Sequence, residues 1–267
     1  MLATLKEVLE KAEQGNYAVG AFNCTSLESG MAIVETAEEL NSPVILQYAD
    51  SHRHLISIDV IGPIMLQLAK IAKVPVVVHL DHGASIESCR HAVDMGFTSV
   101  MYDASAKPFE DNVAETRSVV EYAHERGTSV EAELGHILTS KAGAAEGNGK
   151  SYTREEAYTD PEMAKEFIER TNVDALAIGF GTAHGIYTEK PVLDLNRIAL
   201  IKSAKDIPYV MHGGSGLSEE EYRTAIHNGI RKINYYTYLS LAGGRGVMQY
   251  LEDKKDKDAI YFEDIAK

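Results

Sequence analysis

Val76-Val77-Val78-His79-Leu80-Asp81-His82-Gly83 begins as an unbroken β-branched run and ends in a cluster of ionisable side chains closed by a glycine. A strand that is apolar on both faces must be covered on both sides, as in a parallel sheet lying between a packed interior and a coat of helices. Ionisable groups gathered at the carboxyl end of such a strand are what a closed parallel barrel carries on its reactive rim.

Seven more short runs rich in Val, Ile and Ala alternate with helical patterns, at Ala18–Asn23, Val44–Ala49, Ser99–Asp103, Ser129–Leu134, Ala175–Gly179, Tyr209–His212 and Lys232–Tyr235. The alternation predicts a (β/α)₈ TIM barrel of the α/β class, a single domain over residues 1–267, with a doubly wound open sheet as the alternative. Asp160-Pro161 marks a helix start, Ser218 with Glu221 forms a capping box, and Gly96, Gly127 and Gly229 close helices. Met1 to Gln14 reads as an amphipathic helix with Leu2, Leu5, Val8, Leu9 and Ala12 on one side. Gly135 to Ala157 breaks the rhythm with four glycines and little periodicity, which predicts a mobile loop at about 135–157.

The chain has 267 residues, 45% of them hydrophobic, and a formal net charge of −14. That charge repels nucleic acid and anionic membranes alike, so an anionic small molecule must be held by local features. Two cysteines, Cys24 and Cys89, offer neither a disulfide framework nor a CxxC metal site, and no segment is apolar enough to span a bilayer. These features predict a cytoplasmic protein.

The strand ends carry the chemistry. The third run ends at His79, Asp81 and His82, the fourth at Asp103, and the fifth at Glu131 and Glu133; the sixth is followed by Gly181-Thr182-Ala183-His184-Gly185, and the seventh by His212-Gly213-Gly214-Ser215-Gly216. His82, His184 and His212 form a zinc-type constellation, because three neutral imidazoles leave an open position for substrate. Asp81 is the acid/base candidate beside it. Glu133, facing the same side as the deeper Glu131, could touch the metal or order the histidines, and Asp103 could bind a cation, hold the ligand shell or cap a helix. His79 reads as structural, and His52, His54, His91 and His124 as surface or packing residues. Gly185 and the turn Gly213, Gly214 and Ser215, with Asn234 and Thr237 of the last run, suit a phosphate held by backbone N–H groups.

In this order the HLDHG, VEAELG, GTAHG and HGGSG segments, with Asn234-Tyr235-Tyr236-Thr237, resemble the class II, zinc-dependent fructose-bisphosphate and tagatose-bisphosphate aldolases. The smaller pieces Phe22-Asn23, Ser42-Pro43-Val44 and Tyr158-Thr159-Asp160-Pro161 extend the resemblance over most of the chain. The resemblance implies Zn²⁺ on His82, His184 and His212, auxiliary metal contacts at Glu133 and Asp103, and Asp81 as proton donor and acceptor. It implies substrate contacts at Asn23, Gly185, Gly213, Gly214, Ser215, Asn234, Tyr235, Tyr236 and Thr237, and Glu146 as a second acid/base carboxylate. A monovalent cation (Na⁺ or K⁺) near the phosphate and a homodimer or homotetramer are further implications. The implied reaction is reversible cleavage of a phosphorylated ketose, as a 1-phosphate or 1,6-bisphosphate, to dihydroxyacetone phosphate and an aldehyde.

The departures fall on the aldehyde side. Tyr236 stands where the family usually has an acidic residue, Ala49 where some members have serine, and Asp103-Ala104-Ser105 replaces Asp-Gly-Ser. They predict an altered aldehyde partner. A zinc hydrolase on the same barrel and a non-catalytic partner subunit are the competing readings. The first run ends in Phe22-Asn23 rather than His-x-His, which counts against the hydrolase, and the retained histidines and Asp81 count against the partner subunit. No lysine stands at the carboxyl end of any run, which disfavours a Schiff-base aldolase.

Overall fold

The computed structural model describes residues 1–139, 153–255 and 259–265. Eight parallel strands close into a barrel: β1 (Val19–Asn23), β2 (Val44–Ala49), β3 (Val76–Gly83), β4 (Ser99–Tyr102), β5 (Ser129–Leu134), β7 (Ala175–Ile178), β9 (Tyr209–Met211) and β10 (Ile230–Asn234). Their order around the ring is β1-β10-β9-β7-β5-β4-β3-β2. A two-residue pair, β6 (Leu138–Thr139) with β8 (Ala183–His184), lies outside the ring.

The barrel and its eight runs agree with the sequence reading, with strand ends displaced by one or two residues. Asp103 and His212 lie just past their strands instead of within them, and β3 extends to Gly83. The stretch expected to be an irregular loop contains β6 and a short helix, Arg154–Ala157, at its two described ends.

Two apolar layers hold the barrel. The outer one packs strand residues such as Leu46, Val78, Val100 and Leu176 against helix residues such as Ile33, Met65, Val119 and Phe167. The inner one is closed from below by the first helix, α1 (Leu5–Gly15), whose Leu5, Val8, Leu9 and Ala12 meet Val19, Ile45, Val77, Ala175 and Val210 inside the ring. Thr4 and Glu7 form a capping box that fixes where α1 starts. The bottom of the barrel is thus plugged, and its polar interior opens only at the other end.

The outer coat is incomplete at one place. The helix after β10, α10 (Thr237–Asp253), buries no residue, and it exposes Val247, Met248 and Leu251. Beside its start an apolar cleft of about 290 Å³ is lined by Phe22, Ile33, Ala37, Leu40 and Leu239.

Candidate metal centre and active site

At the open end of β3 the pairing with β4 shifts register between Leu80 and Gly83, and His82 takes a left-handed backbone with φ of 47°. Side chains alternate across a regular strand, so Asp81 and His82 would ordinarily face opposite ways. The local irregularity brings both to the barrel mouth. A left-handed non-glycine residue costs about 1–3 kcal/mol, a strain that collects at functional sites.

His82, His184 and His212 each place a ring nitrogen within 4.8 Å of the other two. His82 Nε2 lies 2.9 Å from His212 Nδ1. The opposite nitrogen of each of those two rings meets a carboxylate: His82 Nδ1 lies 2.8 Å from Asp103 Oδ2, and His212 Nε2 lies 2.9 Å from Glu131 Oε1. A proton held between ring and carboxylate leaves the facing nitrogens with their lone pairs aimed at a common point, the carboxylate–histidine–metal arrangement. Ligands of a tetrahedral zinc stand about 3.3 Å apart, so small ring rotations accommodate an ion. Burial and the neighbouring His82 charge hold His212 well below the ordinary imidazole range, which keeps it neutral as a ligand must be. His82 differs. Burial lowers its pKa, but Asp81, Asp103 and Glu133 outweigh that and raise it well above the ordinary value. The same negative charge that favours a proton there favours a divalent cation.

Glu133 Oε2 stands 3.7 Å from His212 Nδ1, and Glu133 groups with His82 and Asp103 in a second candidate cluster that overlaps the first. Asp81 is fixed from three sides. Its Oδ1 accepts from Asn234 Nδ2 at 2.9 Å, and its Oδ2 accepts from Gln47 Nε2 at 3.2 Å and Asn23 Nδ2 at 3.4 Å. Oδ1 is 4.0 Å from His82 Nε2. Burial pushes the Asp81 carboxyl up, yet the positive charge of His82 and, further off, of Lys232 prevails and holds it at about 2.

Beneath these residues runs a buried network that the sequence reading did not include. Lys232, fully buried, donates to Asn234 Oδ1 at 2.7 Å and pairs with Glu131 Oε2 at 2.9 Å. Because Lys232 occupies the amide oxygen of Asn234, the amide nitrogen is the end presented to Asp81. One ammonium therefore sets both the carboxylate that orients His212 and the amide that orients Asp81. The available signal was periodicity, since Lys232 shares its strand face with Asn234 at i+2, and Gln47 shares its face with Ala49.

A cavity of about 130 Å³ opens above the histidines. Of the expected substrate contacts, Asn23, Gly185, Gly213, Ser215, Asn234, Tyr236 and Thr237 line it, together with Gln47, Ala49, Ser51 and His52. Gly213 has φ of 64°, and a Cβ there would stand 2.6 Å from the Ala183 carbonyl oxygen, so only glycine lets the two turns approach. Tyr187 ties them, accepting from the Ala183 N–H and donating to the Gly213 carbonyl, both at 2.8 Å. Gly214 sits one layer back, its carbonyl accepting from the Tyr222 hydroxyl, and Tyr235 packs edge-on against Phe22. Glu146 lies outside the described residues. His79 bonds Ser99 inside the barrel, as expected of a structural residue, while His54, His91 and His124 meet Ser51, Asp59 and Asp174 away from the mouth, in keeping with surface or packing roles. His52 departs from that expectation: a 3₁₀ turn after β2, Asp50–His54, carries it to the cavity wall.

With this geometry in place, comparison with known proteins decides the family. The profile described as fructose-bisphosphate aldolase class-II matches residues 3–267. The chain belongs to the class II fructose-bisphosphate aldolase family. Members are lyases, and the chain is accordingly a class II aldolase. It is 40% identical over 261 residues to a protein of Staphylococcus aureus named fructose-bisphosphate aldolase, covering 96% of this chain and 88% of that one. A Staphylococcus epidermidis protein of the same name is 39% identical over the same span. Among solved structures, the YdjI aldolase from Escherichia coli K12 superposes with a TM-score of 0.84 at 34% identity, covering 100% of this chain and 90% of that one.

Proposed function

We propose that this aldolase is zinc-dependent and reversibly cleaves a phosphorylated ketose to dihydroxyacetone phosphate and an aldehyde. The observation that carries the reading is Asp81, oriented by three side-chain amides and kept ionised by neighbouring positive charge, 4.0 Å from His82 Nε2. His82, His184 and His212 would hold the ion, which when bound supplies Lewis-acid stabilisation for the negative charge that C–C cleavage leaves on the donor half. Glu133 and Asp103 are within reach as auxiliary contacts.

The protein's own groups do the rest. Asp81 takes the C4 hydroxyl proton in cleavage and returns it in condensation. Backbone N–H groups around Gly185, Gly213, Gly214 and Ser215, with Thr237 at the start of α10, cradle the donor phosphate, and a monovalent cation beside them would offset its charge. Glu146 is the candidate second proton carrier on sequence grounds. Lys232 Nζ is engaged by Asn234 and Glu131 below the cavity, which argues against a Schiff base at that lysine. The exposed apolar residues of α10 and the cleft beside it support a homodimer or homotetramer.

The test is metal content by mass spectrometry together with dihydroxyacetone phosphate release from ketose phosphates. Asp81→Asn should retain the metal and lose about 10²–10⁴ in kcat. Turnover surviving within about tenfold would remove Asp81 from this role.

A further inference from the structure

The cavity has two unlike ends. Gly185 lies in the connection after β7, just past β8, and Gly213 and Ser215 follow β9, whereas Ala49 ends β2 and Ser51 and His52 follow it. In the closed ring β2 stands diametrically opposite β7. A phosphate on the glycine turns, with the reacting carbons beside His82 and Asp81, therefore sends the rest of the substrate toward β2. There the His52 and Tyr236 rings meet with centroids 4.6 Å apart and planes at 50°, bridging the end of β1 from β2 to β10.

This end is poorly suited to a second phosphate. No lysine or arginine lines the cavity among the described residues. Arg53, on the same 3₁₀ turn, pairs with Asp50 Oδ1 at 2.6 Å and is not part of the wall. A phosphate dianion at this end would find neither a charge-assisted donor nor the glycine turns that serve the donor phosphate at the other, and the chain's net charge of −14 adds an unfavourable field. An aromatic pair offers something else: apolar ring area against the C–H edges of a polyol chain, with a phenol and an imidazole to bond its hydroxyls.

We propose that His52 and Tyr236 determine specificity for the aldehyde half, selecting a hydroxylated aldehyde without a terminal phosphate, so that the preferred substrate is a ketose 1-phosphate. The inference rests on the aldolase reading and narrows it. The second anion of a 1,6-bisphosphate is disfavoured because no described lysine or arginine lines this end, and the chain of a 1-phosphate is favoured by contact with the two rings.

The experiment uses the zinc-loaded full-length protein and three readouts. Exchange of dihydroxyacetone phosphate C–H hydrogen with solvent reports the donor half alone. Steady-state cleavage then compares fructose 1-phosphate and tagatose 1-phosphate with the corresponding 1,6-bisphosphates. The third readout is the same comparison in His52→Ala, Tyr236→Ala and Tyr236→Phe. The expected result is exchange in the parent protein and kcat/KM at least about tenfold higher for a 1-phosphate than for its bisphosphate. Tyr236→Ala and His52→Ala should raise KM for the 1-phosphate more than they lower kcat and move the ratio toward unity, whereas Tyr236→Phe should keep it. Exchange with a bisphosphate preference, or a ratio unmoved in both alanine variants, overturns the assignment and leaves the aldolase reading standing. Absence of exchange overturns both.

Discussion

Replacing Lys232 with methionine keeps the length of the side chain but removes the one ammonium that serves Glu131 and Asn234. Both Lys232 and Glu131 are fully buried, so the variant strands a carboxylate where water cannot reach it. Removing one partner of a buried ion pair costs about 3–5 kcal/mol. In a chain of this size that is a fall of about 6 to 20 °C in melting temperature, measured by calorimetry at fixed zinc concentration. Freed of its lysine, Asn234 no longer has a fixed amide orientation, and Asp81 loses its 2.9 Å donor, so kcat should also fall, by about tenfold or more. The double variant Lys232→Met/Glu131→Gln separates the two effects, because replacing both members of a buried pair is often close to neutral in stability. It should recover at least half of the lost melting temperature while leaving kcat low, since Asn234 is still unanchored. A Lys232→Met protein melting within about 2 °C of the parent would refute the argument that this lysine neutralises Glu131.

Asp103→Ala removes the carboxylate that orients His82, and zinc affinity measured against a competing chelator should fall about 10- to 100-fold without loss of the fold. Gly213→Ala would force a Cβ against the Ala183 backbone at a residue with φ of 64°; the variant should melt lower and show a raised KM for dihydroxyacetone phosphate in the condensation assay. The raised His82 pKa means that the metal-free site carries a proton near neutrality, which zinc must displace. Affinity should therefore weaken as pH falls through the raised His82 pKa, approaching about tenfold per unit below it, with proton release on binding detected in a weakly buffered titration.

What was legible in the sequence follows from which physical rules are local. The eight strands were readable because short runs rich in Val, Ile and Ala, three to eight residues long, recur between helical patterns, a property local to each run. The three histidines and Asp81 were readable because strand ends of a parallel barrel must meet on one rim. Lys232 and Gln47 were missed because they lie below the rim, where a polar side chain is explained only by partners on other strands. His52 was missed because its placement depends on the 3₁₀ turn after β2, whose direction no hydrophobic period reveals. Nor could the pattern of α10 disclose that the helix leaves the barrel flank, since an apolar stripe names no partner.

The proposed chemistry depends on one divalent ion bound by His82, His184 and His212. X-ray absorption at the zinc edge of the purified protein tests this most directly. The account predicts three histidine nitrogens at about 2.0–2.1 Å from one zinc, with the His212→Ala protein losing that signal. A spectrum showing sulfur ligands or a shell without imidazole scattering, or one unchanged by His212→Ala, would contradict it.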